Sequence, residues 1–155
     1  MTVTSLSWRD RSKGRAMLAM SKYPQEYVDA CRRQVGAQVE AYRAMAAAAS
    51  GTAAETALAE FEPTFFNNLV LALEMHFVHR TRTLEKKDGN ALNEVRVLAM
   101  SLISNDGLMG EDRTIKLSPE RSVLGYAVGE VIAVREEGFV ALAKAYFADL
   151  EAKFV

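Results

Sequence analysis

Cysteine, histidine and proline are scarce in this 155-residue chain: one, two and three residues respectively. With Cys31 alone there is no disulfide within the chain, which fits a reducing, cytoplasmic setting. No apolar run approaches the roughly 18–20 residues needed to span a bilayer. The longest, Leu69 to Val78, is interrupted by Glu74 and His76. The first residues lack the apolar h-region of a secretory signal. Charge of one sign is missing as well: the formal net charge is -1, so the molecule as a whole has no bias toward nucleic acid or an anionic membrane. Walker A and Gly-x-Gly-x-x-Gly loops, the His-Glu-x-x-His zinc pair and the Gly-x-Ser-x-Gly elbow are all absent. Asp88-Gly89-Asn90 and Asn105-Asp106-Gly107 do not fit the EF-hand spacing and read as helix-terminal turns.

What is present is ordinary globular material, 50% hydrophobic and 25% charged, in a length suited to one domain. Residues 1–21 read as a basic arm, with Arg9, Arg11, Lys13 and Arg15 against the single acid Asp10. It is expected to be flexible or to dock on a partner subunit. Trp8 among those bases is also the pattern of a weak nucleic-acid contact, but four bases give only modest phosphate affinity. Residues 22–155 read as a single, mostly α domain. The expectation is a compact bundle of four to five helices with a small β-hairpin-like element before the C-terminal helix.

A first helix is expected from Pro24 to Ala49, with Tyr27, Cys31, Val35, Val39, Tyr42 and Ala46 on one stripe. Thr52-Ala53-Ala54-Glu55 has the form of a capping box. Pro63 then either kinks the second helix or divides it, with a longer helix running on to Lys86. Phe66, Leu69, Val70, Leu73, Phe77, Arg80 and Leu84 share its stripe, while Leu71, Met75 and Val78 lie opposite. A helix apolar on two faces is buried on two sides, so it is either the central helix of the domain or covers the core with one face and a second subunit with the other. Asn90 is the expected N-cap of a helix from Ala91 to Ser104. Thr114–Leu117 and Val131–Val134 have strand character, with Val128-Gly129-Glu130 as a hairpin turn. A last helix from Arg135 to Lys153 presents Phe139, Leu142, Ala143, Tyr146, Leu150 and Phe154.

The candidate chemistry gathers on the second helix. His76 and His79, three residues apart, fall on neighbouring positions of one helix face. They are the only pair able to begin a metal or haem site, which needs further ligands, and no cofactor is expected. Arg80 sits within an apolar stripe, so its guanidinium must be paired or reach water. Glu62, Asp88 and Glu94 are its candidate partners. Alternatively His76, His79, Arg80 and Arg82 form a cationic pocket for a small anionic ligand. Asn67 and Asn68 would add polar lining, and a histidine would serve as general acid or base if a reaction is catalysed. Most of the sequence is explained by packing. Self-association, as a homodimer or other homo-oligomer, or binding of a partner therefore ranks ahead of ligand binding, and catalysis ranks behind both.

Overall fold

The computed structural model describes residues 19–155. The bases and Trp8 of the expected arm fall outside the described residues. Among the described residues five helices are formed: α1 (Gln25–Ala48), α2 (Thr52–His76), α3 (Arg82–Glu85), α4 (Ala91–Ser104) and α5 (Glu136–Phe154). No helix among the described residues is long and apolar enough to cross a membrane.

Pro24 stands at the N-cap of α1, and Val28, Cys31, Val35, Val39 and Tyr42 face inward. Tyr27, expected in that stripe, is instead 41% exposed, and Val28 takes the core position. Tyr23 is the reason. Its ring fills the core beside Phe77, with centroids 5.1 Å apart, and stacks on Tyr27 at 5.8 Å. Tyr27 therefore covers the core, and its hydroxyl donates to the His76 carbonyl at 2.7 Å.

The capping box at Thr52 does not form. Gly51 adopts a positive φ of 88° and takes the N-cap place, so Thr52 is already helical. Only glycine enters that conformation without steric cost. Pro63 neither divides α2 nor ends it: one helix runs from Thr52 to His76 with the proline inside it. A proline leaves the carbonyl four residues earlier without its amide. Here that carbonyl, on Ala59, accepts instead from Arg135 Nη1 at 2.8 Å. The same arginine nitrogen meets Glu62 Oε2 at 2.9 Å, and Glu62 Oε1 accepts the Glu136 amide at the start of α5. One arginine thus repairs α2 and joins it to the N-terminus of α5.

The expected continuation of α2 to Lys86 is corrected: the helix ends at His76. The chain then turns, with Arg80 N–H donating to the Phe77 carbonyl. Met20 lies alongside this turn; its amide donates to the His79 carbonyl at 2.7 Å and its carbonyl accepts from the Thr81 amide at 2.8 Å. These bonds give the residues after Phe77 a partner that a helix would have denied them.

Asn90 caps α4 as its sequence position requires, accepting from the amides of Leu92 and Asn93. Leu92, Val95, Leu98 and Ala99 are buried. In α5, Phe139, Leu142, Ala143, Tyr146, Leu150 and Phe154 are buried together with Phe147. The aromatic rings of Phe66, Phe77, Phe139, Tyr146 and Phe154 fill the centre, where α1, α2, α4 and α5 meet.

The small β-hairpin is not formed. Among the described residues, the segment between α4 and α5 contains one isolated antiparallel bridge, Leu108 to Val131. Val131–Val134 finds other partners. Ile132 N donates to the Gly107 carbonyl at 2.8 Å, while Asn67 Nδ2 donates to the Ile132 carbonyl and Asn67 Oδ1 accepts the Val134 amide. Thr114–Leu117 is held by Asp112, whose carboxylate accepts from Thr114, and by the Lys116 amide on the Lys87 carbonyl. Glu94, 2% exposed, accepts the amides of Val123 and Leu124 and pins the middle of the segment to α4. The strand-forming residues are thus used singly, as anchors, and no ladder develops.

Candidate functional site

A buried ionic cluster lies where the end of α2, the turn after it, α3 and α4 converge. Arg80 is 2% exposed, Glu85 0%, Glu74 8% and Asn93 0%. Arg80 Nη2 stands 2.9 Å from Glu74 Oε2, close enough for charge attraction although not aligned as a hydrogen bond. Its Nη1 donates to the Phe77 carbonyl, and Nη2 donates to the Leu92 carbonyl, each at 3.0 Å. Tyr146 OH is 3.3 Å away, and the guanidinium carbon lies 5.7 Å from the Tyr146 ring centroid. Glu85 is gripped by a second arginine: Arg96 Nε and Nη2 donate to its two carboxylate oxygens at 3.0 and 2.6 Å. Asn93 Nδ2 adds a 3.0 Å bond. Arg96 Nη1 completes the ring, 3.5 Å from Glu74 Oε1.

Two arginines and two glutamates therefore share one desolvated site. Charges so deeply buried are tolerated only when paired and hydrogen-bonded. The two carboxylates are not equivalent. Burial raises the pKa of Glu74, and the charges of Arg80 and Arg96 offset this only in part. Burial also opposes the charge of Glu85, but there the hydrogen bonds from Arg96 and the nearby Arg80 prevail and hold it below the usual carboxylate range. Burial works against Arg80 too, yet Tyr146, Glu74 and Glu85 outweigh it and keep the guanidinium firmly protonated. Burial pushes the Tyr146 phenol far up and that of Tyr23 up to about 12.

Arg96 links this cluster to an open cleft of about 650 Å³ between α4 and the segment after it. Its floor is Val97 and Ser101, and its rim includes Arg82, Met100, Asp112 and Arg113. Ser101 Oγ accepts the Gly110 amide at 2.9 Å and donates to the Val97 carbonyl at 2.6 Å, fixing the far wall to the helix. A second groove, of about 430 Å³, runs between α1 and α5 over Val35, Val39, Phe139 and Phe147. It is flanked by the Arg32–Glu151 and Arg43–Glu136 ion pairs.

The six residues singled out in the sequence are dispersed. His76, at the end of α2, is half-buried and its pKa is lowered by burial, whereas His79 is exposed on the following turn. Because the helix stops between them, they no longer share a face. No group of three or more histidine, cysteine or acidic side chains is gathered for a metal among the described residues. Arg82 lies on the rim of the cleft, 3.8 Å from Asp112. Asn67 holds the Ile132–Val134 segment, and exposed Asn68 donates to the Thr64 carbonyl of its own helix. Cys31 is buried, and burial raises its thiol pKa.

Arg80 is paired, but not with the expected acids. Glu62 serves Arg135, Asp88 accepts from Asn90, and Glu94 holds the Val123 and Leu124 amides. Its partners are Glu74 and Glu85, which a helix continued past His76 would have placed on other faces. Glu85, Asn93 and Arg96 carried one sequence signal: polar side chains amid the apolar residues of α4 and just before it. Comparison with protein-family models, curated proteins and solved structures finds no match for this chain.

Proposed function

We propose that this domain works by associating with a second copy of itself through the outer face of the α2–α4 pair. The carrying observation is the coincidence of exposed apolar side chains with an absence of charge. Met75 on α2 is 70% exposed, and Met100 and Ile103 on α4 are 57% and 68% exposed. The Glu74–Arg96 contact sets the level of the two helices. At 1.5 Å rise per residue, an antiparallel pair in that register places half-buried Leu71 beside Met100 and Asn67 near Ile103. Val131, 68% exposed, adjoins through the Asn67–Ile132 bond. On this register the residues fall along one side of the helix pair, as a ridge.

Charge is scarce on the two helices that carry it, although Met100 also lines the cleft with Arg82, Glu111, Asp112 and Arg113. From Thr64 to the end of α2 the only charged side chain is buried Glu74, and α4 carries only buried Glu94 and the paired Arg96. By contrast α1 carries Glu26, Asp29, Arg32, Arg33, Glu40 and Arg43. Depletion of charge around exposed large apolar residues is the compositional mark of an interface core. Helix faces so poor in charge are also self-compatible, since a two-fold axis sets few like charges against each other. Methionine suits such a face because its unbranched side chain adapts to what it meets.

Sedimentation of the full chain tests the reading. The expected result is a concentration-dependent dimer that Met75→Glu and Ile103→Glu each convert to a folded monomer. Met45→Glu, on the far helix α1, leaves it intact. A wild-type chain that is monomeric at every concentration overturns the proposal, as does a dimer indifferent to both α2–α4 variants.

A further inference from the structure

We infer that the cleft between α4 and the Gly110–Arg113 segment is a binding site for a small monocarboxylic acid with an apolar body, its carboxylate seated on Arg96 and Arg82. Volume comes first: about 650 Å³ lies within the range of small-molecule sites. Preorganisation comes second. Arg96 is fixed by both oxygens of a fully buried carboxylate, through Nε and Nη2. This leaves Nη1, whose nearest acidic oxygen stands at 3.5 Å, with donor capacity for another acceptor. An arginine already immobilised loses little entropy when it binds. The short helix α3 supplies Arg82 to the rim and, three residues on, Glu85 to hold Arg96. Arg82 stands 3.8 Å from Asp112, too long for a hydrogen bond. Arg96 Nη1 and the Arg82 guanidinium thus offer two cationic N–H donor groups to one cleft, the chemistry that a carboxylate takes.

The rest of the lining narrows the ligand. Val97 and Met100 offer apolar wall beside the arginines. Glu111 and Asp112 stand at the mouth, and the last turn of α4 contributes the negative end of its dipole. Both disfavour a multiply charged anion such as phosphate, while a single carboxylate is matched by the two arginines. The wall is also rigid: a Cβ on Gly110 would stand 3.2 Å from Ser101 Oγ, so the backbone there is already seated against α4.

The site is tested separately from the association reading: Met75 and Ile103, the residues that test the dimer, do not line it, although Met100 belongs to both surfaces. The experiment is a ¹H–¹⁵N titration of the full chain with phenylacetate, with phenylacetamide and inorganic phosphate as controls. Saturable shifts confined to the amides of Ser104, Asn105 and Gly110–Arg113 are expected with phenylacetate alone. In Arg82→Gln, a rim substitution that leaves the buried cluster intact, binding weakens by about tenfold or more. Arg96→Lys, which keeps the charge but loses both the grip on Glu85 and the Nη1 donor, weakens it as well. An equal response to the amide, an undiminished affinity in Arg82→Gln, or no saturation at all overturns the assignment. Saturation by phosphate without phenylacetate overturns it in favour of a different anion class.

Discussion

Arg135 donates to the carbonyl of Ala59, the acceptor that Pro63 leaves without an amide. The relationship explains how a proline sits inside a 25-residue helix. It also makes the helix depend on a residue far away in sequence. Arg135→Met should cost about 1 kcal/mol, since the arginine is half exposed and its bonds are partly screened. Pro63→Ala restores the local amide, so the double variant Pro63→Ala/Arg135→Met should recover part of the loss. Urea denaturation of the four proteins in the cycle measures this coupling. Additive effects would mean that the arginine does nothing for the proline's carbonyl.

Removing Arg80 should be far more damaging. Its side chain is fully buried between Glu74 and Glu85, and truncation leaves uncompensated charge in the core. Arg80→Ala is expected to destabilise by about 3–5 kcal/mol. Arg80→Lys should recover only a fraction, because an ammonium cannot serve the Phe77 and Leu92 carbonyls and both acids from one plane. Denaturant midpoints at neutral pH give the comparison. Equal stability of the lysine variant and the wild type would show that charge alone matters there.

The legible part of the fold was the part governed by periodicity. The inward faces of α4 and α5 follow from spacing, and Asn90 caps where a side-chain oxygen before an apolar run must cap. Periodicity failed where a tertiary bond replaced a local one. The apolar stripe of α2 carries on through Phe77 to Arg80 and Leu84, but Met20 supplies strand-like backbone partners there and the helix stops. Pro63 looked like a break because its compensating donor is Arg135, remote in sequence. Val131–Val134 looked like a strand because Asn67, which satisfies its backbone, belongs to another helix. The candidate site suffered from the same cause. Arg80 is visible as a charge in an apolar stripe, but the identity of its partners depends on where α2 ends.

The two buried glutamates should give opposite signatures in pH. Glu85 lies below its usual 4.5 in the folded chain. Its ionised form therefore adds stability above that value, and the contribution is lost as pH falls through the lower, folded pKa. Glu74 is shifted up from 4.5. Its contribution is fully present below 4.5 and fades as pH rises through the higher, folded pKa. Relative to wild type, Glu85→Gln should be most destabilised near neutrality, with the gap narrowing in acid. Glu74→Gln should gain on wild type as pH rises from 4.5. Urea midpoints measured between pH 4 and 7 decide it. Parallel curves for the two variants would show that the carboxylates share their protons equally.

Asn67 should matter through the segment it holds and not through any ligand. Its amide nitrogen donates to the Ile132 carbonyl at 2.9 Å, and its oxygen accepts the Val134 amide at 3.0 Å. Val134 is 1% exposed, so its amide has no water to turn to when the asparagine is lost. Leucine has nearly the same shape but no polar atoms. Asn67→Leu therefore leaves a buried donor unmade, at a cost of about 1–3 kcal/mol. The loss is local as well as global. Ile132 N still donates to Gly107 and Glu94 still holds Val123 and Leu124, so the segment stays tethered at both of those points while the Val134 amide is released. Hydrogen exchange resolves this pattern: Val134 should exchange much faster in Asn67→Leu, with Leu124 little changed. Uniform acceleration across the segment would instead mean that Asn67 holds the whole connection, and that the Glu94 anchor depends on it.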